Sequence, residues 1–248
     1  MDAQLNRIAR SVALLVAVVG TSAGAQTVTV GGKANLAASN GNASPGDGVV
    51  PVEITLPSGT GRVLTVSVTG SWGCAYSAIF NADGLNSSGQ PCVHQADVFS
   101  DNKISGIITN GRSMSLDGVF LGSGLPTTTP SVLSYGSGMG QLSFSATSYG
   151  PFALGQTFYI GDGLTGTGAG ALQQFLIPDN ATTLFLGTQD ASSYVGNSCC
   201  FYDNVGSLTV TYSIGSSQMT TTPEPSSLAL LGTGFVAMLP IVRRRRSS

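Results

Sequence analysis

Charge is scarce in this sequence: Asp, Glu, Lys and Arg make up only 9% of its 248 residues, against about 25% in an average soluble domain. Lysine occurs twice, at Lys33 and Lys103. Coiled coils and long-helix proteins draw on Ala, Glu, Lys and Leu, so that class is excluded. A nucleic-acid binder needs a basic face, and no such partner is expected here. Histidine occurs once, at His94, and there is no Cys-x-x-Cys, which argues against a zinc centre. The body between Gln26 and Thr222 also lacks a G-x-S-x-G elbow, an H-E-x-x-H pair and a P-loop. A Ser-His-Asp triad would have to use His94, in a loop bounded by cysteines. Glu53, the single glutamate of the body, alternates with Val52 and Ile54 as a solvent-facing strand residue does. No catalytic residue is assigned, and the chain is not expected to be an enzyme.

What is present is glycine, at 34 residues, and a 42% apolar content that excludes a highly charged disordered chain. Leu64, Val66 and Val68 alternate with Thr65, Ser67 and Thr69. Leu208, Val210, Tyr212 and Ile214 alternate with Thr209, Thr211 and Ser213. This period of two, with β-branched polar partners, marks half-buried strands. Further strands are expected at 49–56, 115–121, 141–147, 157–160, 174–177 and 183–186, separated by Gly, Pro, Asn and Asp. No window reads as an amphipathic helix, and 27–42 reads as a loose lead-in. Many short strands between turns predict an all-β, antiparallel β-sandwich. It forms one domain over residues 26–218.

Both ends differ from this body. Between Gln26 and Thr222 stand four bases against ten acids, a net charge of −6. At the start, Arg7 and Arg10 precede an apolar stretch, Ser11 to Val19, and the small-x-small run Ala23-Gly24-Ala25. That order is a secretory signal peptide over residues 1–25, cleaved before Gln26. It implies the Sec translocon and signal peptidase as partners. At the other end, a linker over 219–225 holds Pro223-Glu224-Pro225. Ser226 to Val242 follow without a charge, and Arg243, Arg244, Arg245 and Arg246 close the run. Seventeen helical residues span about 25 Å, enough for a thin hydrocarbon core. The arginines would stay cytoplasmic and the body on the far side. A transmembrane helix and Arg-rich tail are therefore expected over 226–248.

This tail resembles the PEP-CTERM sorting signal of Gram-negative bacteria that make exopolysaccharide. The resemblance implies recognition and cleavage by exosortase, a membrane protease. The protein would be transiently anchored in the inner membrane, then placed on the cell surface or in the extracellular matrix.

The cysteines fit export into an oxidising compartment. Cys74, Cys92, Cys199 and Cys200 leave two plausible frameworks open. Either Cys74 pairs with Cys92 and leaves a vicinal Cys199–Cys200 pair, or each early cysteine meets a late one.

The most polar grouping is near the end of the body. The run Pro178 to Gly187 leads to Asp190, a Gly/Asn/Ser-rich loop follows, and Asp203-Asn204-Val205-Gly206-Ser207 opens the last strand. Asp190, Asp203 and Asn204 supply oxygens of the kind Ca²⁺ takes, while Asp and Asn also serve as turn formers. The pattern P-x-x-A-T-x-L-x-L-G-x-x-D, a loop, then D-N-x-G-S resembles the galactose-binding-like, jelly-roll sandwich of small calcium-dependent bacterial lectins. That resemblance implies Ca²⁺ held by Asp190, Asp203 and Asn204, with Thr69-Gly70-Ser71-Trp72 matching an early Gly-Trp turn. The loop between Asp190 and Asp203 is longer than the lectin's. His94 and Gln95 fall only loosely where its sugar-contacting residues stand. The expected function is a non-catalytic exported surface or matrix module binding calcium and carbohydrate, with exopolysaccharide as a partner. The alternatives are a hydrolase acting on matrix polysaccharide and a purely structural envelope protein.

Overall fold

The computed structural model describes residues 24–39 and 46–216. The expected signal peptide, but for its last two residues, and the whole of the expected 219–248 linker, apolar run and Arg tail lie outside the described residues. Among those described there are fifteen strands, three short 3-10 turns and no α-helix, so the class is all-β. No helix among them is long and apolar enough to cross a membrane.

The strands run β1 (Gln26–Gly31), β2 (Val52–Thr55), β3 (Arg62–Gly73), β4 (Gln95–Val98) and β5 (Ile107–Asn110). Next come β6 (Asp117–Leu121), β7 (Leu133–Tyr135), β8 (Ser148–Tyr149), β9 (Thr157–Tyr159) and β10 (Leu164–Gly166). The last are β11 (Ala169–Leu172), β12 (Gln174–Leu176), β13 (Thr183–Gly187), β14 (Val195–Gly196) and β15 (Val205–Ser216). The 3-10 turns lie at Leu36–Ala38, Ser192–Tyr194 and Phe201–Asp203.

The long ladder between β3 and β15 is the backbone of the molecule. It pairs Arg62 with Ser216 at one end and Gly73 with Val205 at the other, in continuous antiparallel register. β1 adds to the far side of β15, and the sheet reads β1-β15-β3-β12-β8. A second sheet reads β2-β13-β6-β9, and a third β14-β4-β5-β7. Leu64, Val66, Leu208 and Val210 from the first sheet join Ile54, Leu184, Leu186, Phe120 and Phe158 from the second in one buried cluster. The two sheets thus share a core. Leu36, Val119, Leu121 and Phe185 form a second, smaller cluster. It takes up the opposite faces of β6 and β13, which explains why all five residues of β6 are buried.

Several expectations are corrected. The described part of the expected loose lead-in, 27–39, is structured: β1 pairs with β15 from Gln26 to Gly31 and a 3-10 turn follows at Leu36–Ala38. The strand expected at 141–147 is absent. Ser145 N–H there turns back onto Ser143 Oγ, 3.2 Å, a local bond that competes with a ladder. The pairing is not purely antiparallel: β12–β8, β14–β4 and β5–β7 are parallel. β4, β5, β7, β8, β10, β11 and β14, each two to four residues long, lie outside the expected strands.

Candidate functional site

β13 ends in the second sheet at Gly187 and β15 begins in the first at Val205, so the chain between them crosses from one sheet to the other. Asp190 stands near the start of this crossing and Asn204 at its end. Both are buried, at 3% and 1% exposure. The Asn204 amide donates to Asp190 Oδ2 at 2.9 Å, and the Ala191 N–H donates to Asp190 Oδ1 at 2.7 Å. The crossing is therefore pinned at its two ends by one carboxylate. Gly206 belongs to the same construction. Its φ is +80°, and a Cβ would come within 2.5 Å of the Ser71 carbonyl oxygen. Only glycine lets β15 start this close to β3.

Two of the three predicted metal ligands are thus in contact, and the third is close. Asp203 is partly buried, and its carbonyl accepts the Tyr76 N–H at 2.8 Å. Burial pushes the Asp190 carboxyl up to about 7, against the lowering effect of the Asn204 and Ala191 bonds, and the Asp203 and Asp47 charges add to the rise. Asp47, which sequence reading did not single out, accepts the Phe201 N–H at 3.2 Å. Asn204 Oδ1 and Tyr194 Oη are among the buried polar atoms of the crossing that have no hydrogen-bond partner. Burying such a group unpaired costs about 1–3 kcal/mol.

Asp190 and Asp203 open onto a cleft of about 230 Å³, whose walls include Cys74, Cys92, Tyr194 and Cys200. Cys74 is bridged to Cys92, and Cys199 to Cys200. The first of the two cysteine frameworks is therefore the one formed. Five of the eight non-glycine residues with positive φ among those described are Ala75, Tyr76, Ser193, Tyr194 and Cys200. All but Tyr76 line the cleft, and Tyr76 follows Ala75. Backbone held in this region costs about 1–3 kcal/mol per residue and gathers at functional sites. Tyr76 and Tyr202 stand at its edge, 68% and 57% exposed, with ring centroids 6.4 Å apart.

The chemistry available is that of oxygen donors: the Asp190 and Asp203 carboxylates, with the Asp47 charge acting on Asp190, the unpartnered Asn204 amide oxygen, and backbone carbonyls. This donor set suits a hard cation. An all-carboxylate cage is not formed: among the described residues no three His, Cys, Asp or Glu side chains are gathered closely enough to hold a metal ion. His94 and Gln95 are exposed and are not among the residues lining this cleft. Thr69 to Trp72 form part of β3 rather than a turn, because Trp72 pairs with Gly206 across the ladder.

The sorting residues are reached by comparison instead. Residues 221–246 match the PEP-CTERM protein-sorting motif. Pro223, Glu224, Pro225 and Arg243 to Arg246 all fall within the match, outside the described residues. The motif indicates export, a membrane-anchor-type C-terminal sorting signal and processing by exosortase, a membrane protease. No curated protein and no solved structure matches the chain.

Proposed function

We propose that the body is a non-catalytic binding module of the galactose-binding-like sandwich type, clipped by calcium and displayed at the surface of a Gram-negative cell or in its matrix after exosortase release. The observation that carries this reading is the buried Asp190–Asn204 pair. It places an unpartnered amide oxygen and a carboxylate of raised proton affinity beside two further acids. Calcium held by Asp190, Asp203 and Asn204, with Asp47 close by, would neutralise carboxylates that otherwise repel one another. It requires the Asn204 amide to offer its oxygen where its nitrogen now meets Asp190. The exposed faces of Tyr76 and Tyr202 offer apolar, rigid surfaces for a sugar ring at the edge of the same cleft. Export and low charge agree with a carbohydrate ligand from the exopolysaccharide matrix.

The test is a glycan array probed with the exported protein in millimolar calcium and in EDTA. Binding in calcium that disappears in EDTA, and in the Asp190→Ala variant, supports the reading. The absence of any glycan whose binding requires calcium and Asp190 overturns it. Release by exosortase is checked separately by intact mass, which should place the mature termini near Gln26 and Pro223.

A further inference from the structure

A second cleft, larger than the first, shares no lining residue with it. It measures about 520 Å³ and is lined by Asn110, Arg112, Gln141, Phe144, Ser145 and Thr165, among others. It is formed where the chain leaves β5 and β7. A volume of this order accommodates a small ligand.

Its polar side chains are held in place by the protein itself. The Arg112 guanidinium lies 4.4 Å over the Phe144 ring. One of its amino groups donates to Tyr159 Oη at 2.6 Å and meets Asp83 Oδ1 at 3.0 Å. Tyr159 in turn donates to the same carboxylate oxygen at 2.6 Å. The Arg112 side chain is nonetheless 16% exposed and lines the cleft. Gln141 is fixed at both ends: the Gly138 N–H donates to its oxygen at 2.8 Å and its nitrogen donates to Ser134 Oγ at 3.2 Å. A Cβ on Gly136 would lie 2.3 Å from that oxygen, so the wall is built around this side chain. The Asn110 amide donates to the Tyr135 carbonyl at 3.3 Å, which leaves its own oxygen to accept. Thr165 Oγ is fixed by the Ala171 N–H at 3.0 Å.

The result is a wall of preset donors, acceptors and hydroxyls, which is what neighbouring hydroxyl groups on a ring require. Its charge is balanced. Arg112 is the one cation of the lining, and Asp83, 2% exposed, cancels it. The body around it is acidic. An anionic ligand would meet no surplus positive charge.

We propose that this cleft is a binding site for an uncharged, polyhydroxylated ligand, a neutral hexose unit of a polysaccharide, read by Arg112, Asn110 and Gln141 without a metal. The site is independent of the calcium cleft. The experiment is isothermal titration of the exported full chain with neutral glucose-, galactose- and mannose-based oligosaccharides, and with uronate-containing ones, in EDTA throughout. The expected result is binding of at least one neutral oligosaccharide that is retained in Asp190→Ala. It should be weakened about tenfold by Asn110→Ala and by Arg112→Lys, roughly the loss of one good hydrogen bond. Because Arg112 also serves the Asp83–Tyr159 network, Asn110→Ala and Ser145→Ala are run alongside, with thermal melts to show an unchanged fold. Three outcomes overturn the proposal: no neutral oligosaccharide binding at millimolar concentration, tighter binding of the uronates, or binding that Asp190→Ala removes and Asn110→Ala leaves intact. Loss of calcium-dependent glycan binding with this EDTA-resistant binding preserved would sink the calcium reading alone.

Discussion

The β3–β15 ladder and the crossing from β13 to β15 hold themselves together by opposite means. The ladder is twelve residues of unbroken antiparallel register, with alternate side chains in the shared core. The crossing has only a two-residue strand and two 3-10 turns. It compensates with a buried Asp190 carboxylate that bonds Ala191 at its start and Asn204 at its end. Cooperative packing keeps the first in shape, and polar contacts keep the second. That is the division expected of a rigid scaffold and the loops it positions for binding.

The largest effect should come from the scaffold. Phe158 is fully buried and stacks on Phe120 at 4.9 Å and Phe152 at 4.3 Å. Phe158→Ala should destabilise the protein by about 3–5 kcal/mol, read as a shift in the urea midpoint. If the loss were under 1 kcal/mol, the shared core would not be what holds the sheets.

The two disulfides should separate next. Cys74 and Cys92 stand 18 residues apart, and closing a loop of that length contributes about 3 kcal/mol in the chain-entropy model. Cys199 and Cys200 are adjacent, so their bond removes almost no chain freedom. The double Ser variant of the first pair should therefore lose far more stability than that of the second. Equal losses would contradict this account.

One part of the pH effect should belong to the scaffold and persist whether or not calcium is present, beside the part that the raised Asp190 carboxyl adds at the crossing. Burial raises the Asp117 carboxyl well above its ordinary range, against the Ser115 and Gln189 bonds that lower it. Burial likewise raises Asp162. A carboxyl whose folded affinity for protons exceeds its unfolded one stabilises fully below the unfolded value, about 3.9. That contribution fades as pH rises through the folded value. Stability from urea melts should accordingly fall as pH rises from about 4, and Asp117→Asn should flatten the slope. A slope unchanged by Asp117→Asn would show that this carboxyl does not titrate as described.

The smallest stability effect is expected at the cleft rim. Tyr76→Ala and Tyr202→Ala remove exposed rings and should change stability by no more than about 0.5 kcal/mol, while reducing glycan binding in calcium. Variants that unfold, or that bind as before, would break the division between scaffold and site.

How much of this was legible in the sequence follows the same division. Leu64 to Thr69 and Leu208 to Ile214 announced β3 and β15, because one face of each strand meets the core. The same alternation at Leu142, Phe144 and Ala146 misled. There Phe144 packs on Arg112 and Tyr159, and Ser143 and Ser145 bond to each other at 2.9 Å instead of to a neighbouring strand. Asp190 and Asn204 could be found because they bracket one loop. Asp47, Tyr76 and the Arg112–Asp83–Tyr159 network could not, since each depends on segments far apart in the chain brought together by the fold. For Tyr76 the available signal was its place two residues after Cys74, in a staple loop.

The central claim is that the crossing from β13 to β15 is completed by a cation. The direct measurement is a thermal melt of the exported protein in EDTA and in millimolar calcium, with metal content determined on the same preparation. A ligand binding only the native state at a hundredfold excess over Kd adds about 2.7 kcal/mol, which for a protein of this size is roughly 5–10 °C in Tm. The account predicts a rise of that order, lost in Asp190→Ala and reduced in Asp203→Asn. An identical Tm in both buffers, with no calcium in the purified protein, would contradict it and leave Asp190 and Asn204 as a hydrogen-bonded clasp closing the loop.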